Sequence, residues 1–224
     1  MKHKIIIMIT VLLCTVCSYC HAQSINWAGL KEEDRHLLNL NVGIDYGVIY
    51  GIGYGYQLKS KLPVIFNAEF SIPSGNRFFD DFKTKIGAHV KLLEVSNIAV
   101  SVNVNGVFRR YANTLVRLSN FGATANVIIG YYGPKWYVNG EFGFDKAIVT
   151  HFKHKDAYKS NFPEVKDGWY EPSTGGNVQC GMQVGYSFNH SDVYLKGGKT
   201  IAQDFKTSPT IPIYIQLGYN LKLR

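Results

Sequence analysis

The sequence predicts an all-β fold, an antiparallel up-and-down transmembrane β-barrel of about 10 strands, with about 8 as the alternative, since bacterial barrels carry even strand numbers. Three observations predict it. Segment after segment alternates apolar with small or polar residues, the two-residue period of a strand with two unlike faces. The apolar faces run long without a charge, which suits lipid, while the opposite faces carry charges of both signs. The chain also opens on an export signal, and after it no run of 18 apolar residues, the usual sign of a membrane helix, follows.

The signal comes first. Lys2 and Lys4 precede an apolar run from Ile5 to Val16, too short to span a bilayer as a helix. Cys20 and Ala22 are small, so the expected signal peptide is 1–22, cleaved after Ala22. Three of the four cysteines fall in this segment; Cys180 alone is left, so an internal disulfide is excluded. Residues 23–36 form a polar N-terminal arm, with Lys31, Glu32, Glu33, Asp34 and Arg35 in a row. The barrel is expected over 37–224.

Leu38–Leu58 is the strongest alternating stretch. Leu38, Leu40, Val42, Ile44, Val48, Tyr50, Ile52, Tyr54 and Tyr56 share one face; Asn39, Asn41, Gly43, Gly51, Gly53 and Gly55 share the other, and Ile49 breaks the rule. Twenty-one residues are roughly twice the ~9–11 that a membrane strand needs. The stretch therefore reads as a hairpin. A three-residue turn near Asp45–Val48 keeps the parity of the apolar positions, and Gly47 is available there for a positive φ. Glycines on the polar face imply that something narrow lies against it.

Further strands are expected over Val64–Ile72, Phe82–Val90, Ile98–Val104, Phe121–Tyr131, Trp136–Phe144, Val178–Phe188, Val193–Phe205 (weaker) and Ile211–Leu223. Connections at Glu94–Asn97, Tyr132–Lys135 and Asn189–Asp192 are short; those at Ala112–Ser119 and at 150–176 are longer. Short turns at one rim and long loops at the other are the outer-membrane arrangement. Tyr131, Tyr132 and Trp136 gather at a short turn, where an interfacial aromatic girdle is expected.

The net charge of +8 includes the two lysines of the signal, and the remainder is dispersed. No basic helix or basic-aromatic motif points to nucleic acid. In a barrel the polar-face residues Asp45, Glu69, Lys83, Lys85, His89, Glu141 and Asp145, with Asn103, Asn105 and Asn126, point into the lumen, where they must satisfy one another. The long loop 150–176 is the other place to look, because long loops without regular structure are uncommon unless they act. His151, His154, Trp169 and Tyr170 are its candidate contact residues. His151, His154 and Asp156 form too loose a set to predict a metal, and no cofactor is expected.

The stretches GFDKAIVTHFKH (Gly143–His154), DGWYEP (Asp167–Pro172), TGGN (Thr174–Asn177) and QDFKT (Gln203–Thr207) resemble phrases in an uncharacterised outer-membrane β-barrel protein family of Bacteroidota. The resemblance implies the fold and the cell outer membrane. It brings no activity and no catalytic residue.

The expected function is a small outer-membrane barrel of structural or interaction type, with a largely closed lumen and no catalytic activity. Its expected surroundings are outer-membrane lipid and lipopolysaccharide, with a protein partner as a further possibility and no nucleic acid. The alternatives are a narrow pore or transport accessory, a lipid-modifying outer-membrane enzyme and a soluble exported β-barrel. The enzyme reading is weakened because no G-x-S-x-G elbow is present; His190-Ser191 has the composition of a polar turn.

Overall fold

Strands of two unlike faces, joined mostly by short connections, close on themselves in the computed structural model, which describes residues 25–75, 79–172 and 175–224. The expected signal peptide lies outside the described residues, as does Thr174 of the TGGN stretch. The strands are β1 (His36–Ile44), β2 (Val48–Gln57), β3 (Val64–Pro73), β4 (Phe82–Val95), β5 (Ile98–Ala112), β6 (Val116–Tyr132), β7 (Trp136–His154), β8 (Gly168–Tyr170), β9 (Gly176–Ser187), β10 (Ser191–Ala202) and β11 (Ile213–Leu223). All pair antiparallel with their neighbours. β1 pairs with β11, His36 opposite Leu223 and Ile44 opposite Ile215, and this closes the barrel. Only β8 stands outside the ring. It pairs with the upper part of β7, above the point where β9 begins, leaving ten strands in the wall.

The hairpin expected in Leu38–Leu58 is β1–β2, with the three-residue turn Asp45–Tyr46–Gly47 and Ile44 opposite Val48. Gly47 does not use a positive φ, and no other described glycine does. Ile49 breaks the alternation because it is a lumen residue, 1 % exposed.

Two connections differ from expectation. β5 and β6 run to a three-residue turn, Asn113–Leu115, where a loop over Ala112–Ser119 was expected. β7 continues to His154, well into the segment expected to be irregular, so the connection itself is 155–175. A β-bulge explains the second difference. Phe121 pairs with Val149 and Gly122 with Ala147, so Ile148 is an extra residue. The bulge flips the side-chain parity beyond it and erases the alternation that a sequence reading follows. The β6–β7 hairpin therefore stands high above the rest of the wall.

The outer surface decides between lipid and water. Leu40, Ile52, Ile86, Phe142 and Leu217, spread around the wall, each expose more than half of their surface. A soluble barrel would present that continuous apolar band to water, which soluble proteins avoid. In lipid it is solvated, and closure leaves no unpaired strand edge. The soluble alternative is set aside.

Aromatic belts bound the band. On one side Phe70, Phe82, Phe108, Phe121 and Trp169 form a chain of neighbouring rings, with centroids 4.9–6.0 Å apart, across β3, β4, β5, β6 and β8. On the other, Tyr131 stacks on Trp136 at 4.9 Å and Tyr186 meets Phe188 at 5.2 Å. Tyr132, expected in this girdle, instead lies inside the barrel, 1 % exposed, because its parity is opposite to that of Tyr131. Along β6, the ten steps from Phe121 to Tyr131 at ~3.3 Å, tilted by ~40°, span roughly 25 Å, the height of a lipid-facing band. The rim beside Tyr131 holds most of the short turns and the end of β11, the periplasmic arrangement; the loops 155–175 and 203–212 lie at the opposite, extracellular rim.

Candidate functional site

Inward positions alternate with the lipid-facing ones, so every strand contributes to the lumen. Near the extracellular mouth Lys83 pairs with Asp45 and lies 4.5 Å from the centroid of the Tyr46 ring. Tyr46 in turn donates to the Ser71 carbonyl at 2.8 Å. Arg109 pairs with Asp145 and donates to Asn120 Oδ1 at 2.8 Å. Lys85 meets Glu69 at 3.3 Å, directly across the β3–β4 register. Deeper, Lys196 meets Glu141 at 3.1 Å, and His89 Nε2 lies 2.9 Å from Ser101 Oγ. Amides fill the space between them: Asn67 donates to Asn105 at 2.7 Å, and Asn105 donates to Asn103 at 3.1 Å. The seven lumen candidates thus sit on the inner side of one wall. Their partners Arg109 and Lys196 were not singled out from the sequence, although both occupy polar-face positions.

Small residues make room for large ones. A Cβ on Gly218 would lie 2.0 Å from Tyr194 Cζ, and one on Gly185 would lie 2.3 Å from the Tyr137 ring. Both tyrosines lie flat across the glycine of the neighbouring strand, with which each is in register. Their hydroxyls accept from Asn39 at 3.0 Å and from Gln183 at 3.0 Å. Gly218 and Gly185 are therefore seats for inward aromatic rings.

At the periplasmic end the lumen meets something that is not wall. The N-terminal arm turns into the barrel mouth and forms a single 3-10 turn, Trp27–Gly29, capped by Asn26, whose Oδ1 accepts from the Ala28 N–H at 3.1 Å. Asn26 Nδ2 donates to the Gly133 carbonyl at 3.0 Å and to Ser187 Oγ at 2.7 Å, tying the arm to two periplasmic turns. Trp27, 4 % exposed, meets the His89 ring edge-on at 4.9 Å. Lys222 donates to the Gly29 carbonyl at 3.1 Å and to Asp192 Oδ1 at 2.8 Å. Ile25 and Trp27 pack with Leu37, Ile65, Ala99, Tyr132, Tyr137 and Tyr194, an apolar cluster inside an otherwise polar lumen. The lumen voids beside His89, which the arm's Ile25 borders, and beside Lys85, which wall residues alone border, are only ≈ 10 Å³ each.

The four loop candidates separate onto two faces. His151 and Trp169 face outward with ring centroids 4.8 Å apart, and Trp169 ends the aromatic belt. His154 and Tyr170 lie on the opposite face. They border a cavity of ≈ 640 Å³ with Phe152, Glu164, Val165 and Pro172. Asp167 fastens the loop. It accepts from Lys159 Nζ at 2.7 Å, from the His154 N–H at 2.8 Å, and lies 3.0 Å from His154 Nδ1. The Lys159 ammonium, followed by the His154 N–H, holds its carboxyl well below the usual carboxylate range. His151 and His154 point to opposite sides of β7 and do not converge on Asp156, which begins the one-turn helix Asp156–Lys159.

A closed ten-strand antiparallel barrel with an apolar exterior and a charged interior defines a membrane β-barrel of outer-membrane type. No protein-family model matches the chain, and no curated protein matches it. Among solved structures it is similar to a KdgM porin and to a KdgM porin in complex with disordered oligogalacturonate. Each aligns at 8 % identity and a TM-score of 0.44, covering 84 % of this chain and 99 % of the other. This corrects the expected main function, a structural or interaction barrel with a largely closed lumen. The solved barrels it aligns with are both porins by name.

Proposed function

We propose that this barrel is a narrow pore for ions or small polar solutes, closed at the periplasmic end by its own N-terminal arm. One observation carries the reading: the apolar obstruction in the lumen includes Ile25 and Trp27, which belong to a tethered segment and not to the barrel wall. Above it the wall offers a ladder of ion pairs from Lys83–Asp45 down to Lys196–Glu141. A charge crossing a bilayer needs such compensation, because a bare ion in a low-dielectric medium is prohibitively costly. Opposite charges alternate along the ladder, so a solute of either sign can exchange partners as it moves.

The arm holds by side-chain and single-turn contacts and adds no strand to the sheet, so it can leave without breaking the wall. Gating is then an equilibrium between docked and released arm. Ligand-free closure of a few kcal/mol suffices to keep the open state below about 1 %. The wall tyrosines Tyr132, Tyr137 and Tyr194 remain as the constriction and limit the passage to small solutes. Release of trapped solutes of graded size from liposomes tests this. Loss of small solutes only when the arm is removed supports the proposal; retention of all of them in both forms rejects it.

A further inference from the structure

The lipid-facing side of the tall β5–β6–β7 extension carries a feature that the pore reading does not use. Beyond the aromatic belt, the outward positions become basic. Arg110 follows Phe108 on the same face of β5 and lies opposite Phe82 in β4. Arg117, two outward positions beyond Phe121 on β6, is paired in register with Lys153 of β7. Lys155 follows at the strand end, its N–H bonded to the Leu115 carbonyl at 2.8 Å. Arg110, Arg117, Lys153 and Lys155 border one cleft of ≈ 400 Å³, shared with Asp80 and Asp156. Among the described residues no carboxylate pairs with any of the four cations. Arg110 Nε is shielded from solvent and has no hydrogen-bond partner.

Position selects the ligand. At ~3.3 Å per residue, the basic rows lie roughly 7–13 Å along the strands beyond the Phe108–Phe121 row. An interfacial aromatic belt marks the edge of the hydrocarbon, so these cations stand at headgroup depth, on the outside of the barrel. A net positive cleft there matches an anionic headgroup, and guanidinium forks match phosphate oxygens two at a time. We propose that this cleft binds a phosphate group of an anionic lipid of the outer leaflet, the class to which the phosphorylated lipid A of lipopolysaccharide belongs. The acyl chains of the same lipid would lie on Phe82, Phe108 and Phe121 below it.

Native mass spectrometry of the full barrel, released from detergent with defined lipids, tests the proposal. Three probes are compared: bisphosphorylated lipid A, the same lipid with both phosphates removed, and inorganic phosphate. The wild type is expected to retain the bisphosphorylated lipid roughly 30-fold more tightly than the phosphate-free one, about fivefold for each of two engaged cations. R110Q/R117Q/K153Q is expected to lose that preference, and R110K/R117K/K153R, which keeps the charge but not the forks at 110 and 117, to keep part of it. Equal retention of the two lipids by the wild type overturns the proposal and needs no variant to fold. So does an unchanged preference in the glutamine variant, or inorganic phosphate binding as tightly as the lipid, which would make the site one for free phosphate.

Discussion

The Lys222 ammonium is shared between Asp192 Oδ1, at 2.8 Å, and the main-chain carbonyl of Gly29, at 3.1 Å. The Lys222 and Asp192 side chains are both fully buried. The last strand thereby holds the first described segment by a charge that has no access to water. Replacing Lys222 by Met removes the tether and leaves Asp192 as an uncompensated buried charge. The expected cost is about 3–5 kcal/mol, the usual penalty for breaking a buried pair from one side. The double variant K222M/D192N is expected to recover most of the wall stability but not the arm. Heat-modifiable gel mobility reports the wall, and protease access near Leu30 reports the arm; equal arm protection in wild type and double variant would contradict the tether.

Gly218 and Tyr194 form a second testable pair. A side chain on Gly218 meets the Tyr194 ring at a distance no real Cβ adopts. Gly218→Val is expected to destabilise the barrel by about 1–3 kcal/mol through overpacking. In the background of Tyr194→Ala the same substitution is expected to cost less than half as much. A double-mutant cycle on urea-induced unfolding in lipid vesicles measures the coupling, and strict additivity would show that the ring does not press on the glycine.

The ladder predicts selectivity once the passage is open. Glu69 compensates Lys85 across the β3–β4 register. In an arm-free barrel, Glu69→Gln leaves Lys85 as an excess positive charge and is expected to move the reversal potential under a salt gradient toward anions. Lys85→Gln is expected to move it toward cations. The same shift for both substitutions would place these residues outside the ion path.

Asp167 gives a pH dependence for the loop alone. Its folded carboxyl sits below the ordinary value, so it is deprotonated in the fastened loop. Its contribution is therefore complete above about pH 4, the unperturbed aspartate value, and is lost progressively as the pH falls from there toward the depressed value. Trp169 lies in β8, two residues on, and its fluorescence is expected to change in acid below about pH 4 while the wall stays folded. Asp167→Asn is expected to show the acid-like signal already at pH 7; a signal unchanged by the substitution would separate loop docking from this carboxylate.

Much of the wall was legible because lipid and lumen impose opposite demands on alternate residues. Leu38–Leu58 could be read as a hairpin with its turn length from parity alone. Glu69, Lys83 and Lys85 stood out as charges where a strand's apolar face was absent. Legibility stopped where the period broke. The bulge at Ile148 hid the upper half of β7, and with it the outward row of Arg117 and Lys153. The short strand β8 has only three residues, too few for a period. Arm residues Asn26 and Trp27 belong to no periodic element, so nothing local marked them as occupants of the lumen. The pairing of Lys222 with Asp192 joins the neighbouring strands β11 and β10 and follows from their register, which no local pattern encodes.

Single-channel recording in planar bilayers tests most directly whether the arm is the gate. Wild-type barrel and a variant lacking residues 25–30 are compared after both show the same heat-modifiable mobility. Trp27 packing alone is worth about 3–5 kcal/mol by analogy with buried tryptophan truncations, so the wild type is expected to be silent or to open briefly. The variant is expected to give a steady small conductance of fixed size. Identical silent traces from two folded barrels would contradict the account, and so would a wild type that is already fully open.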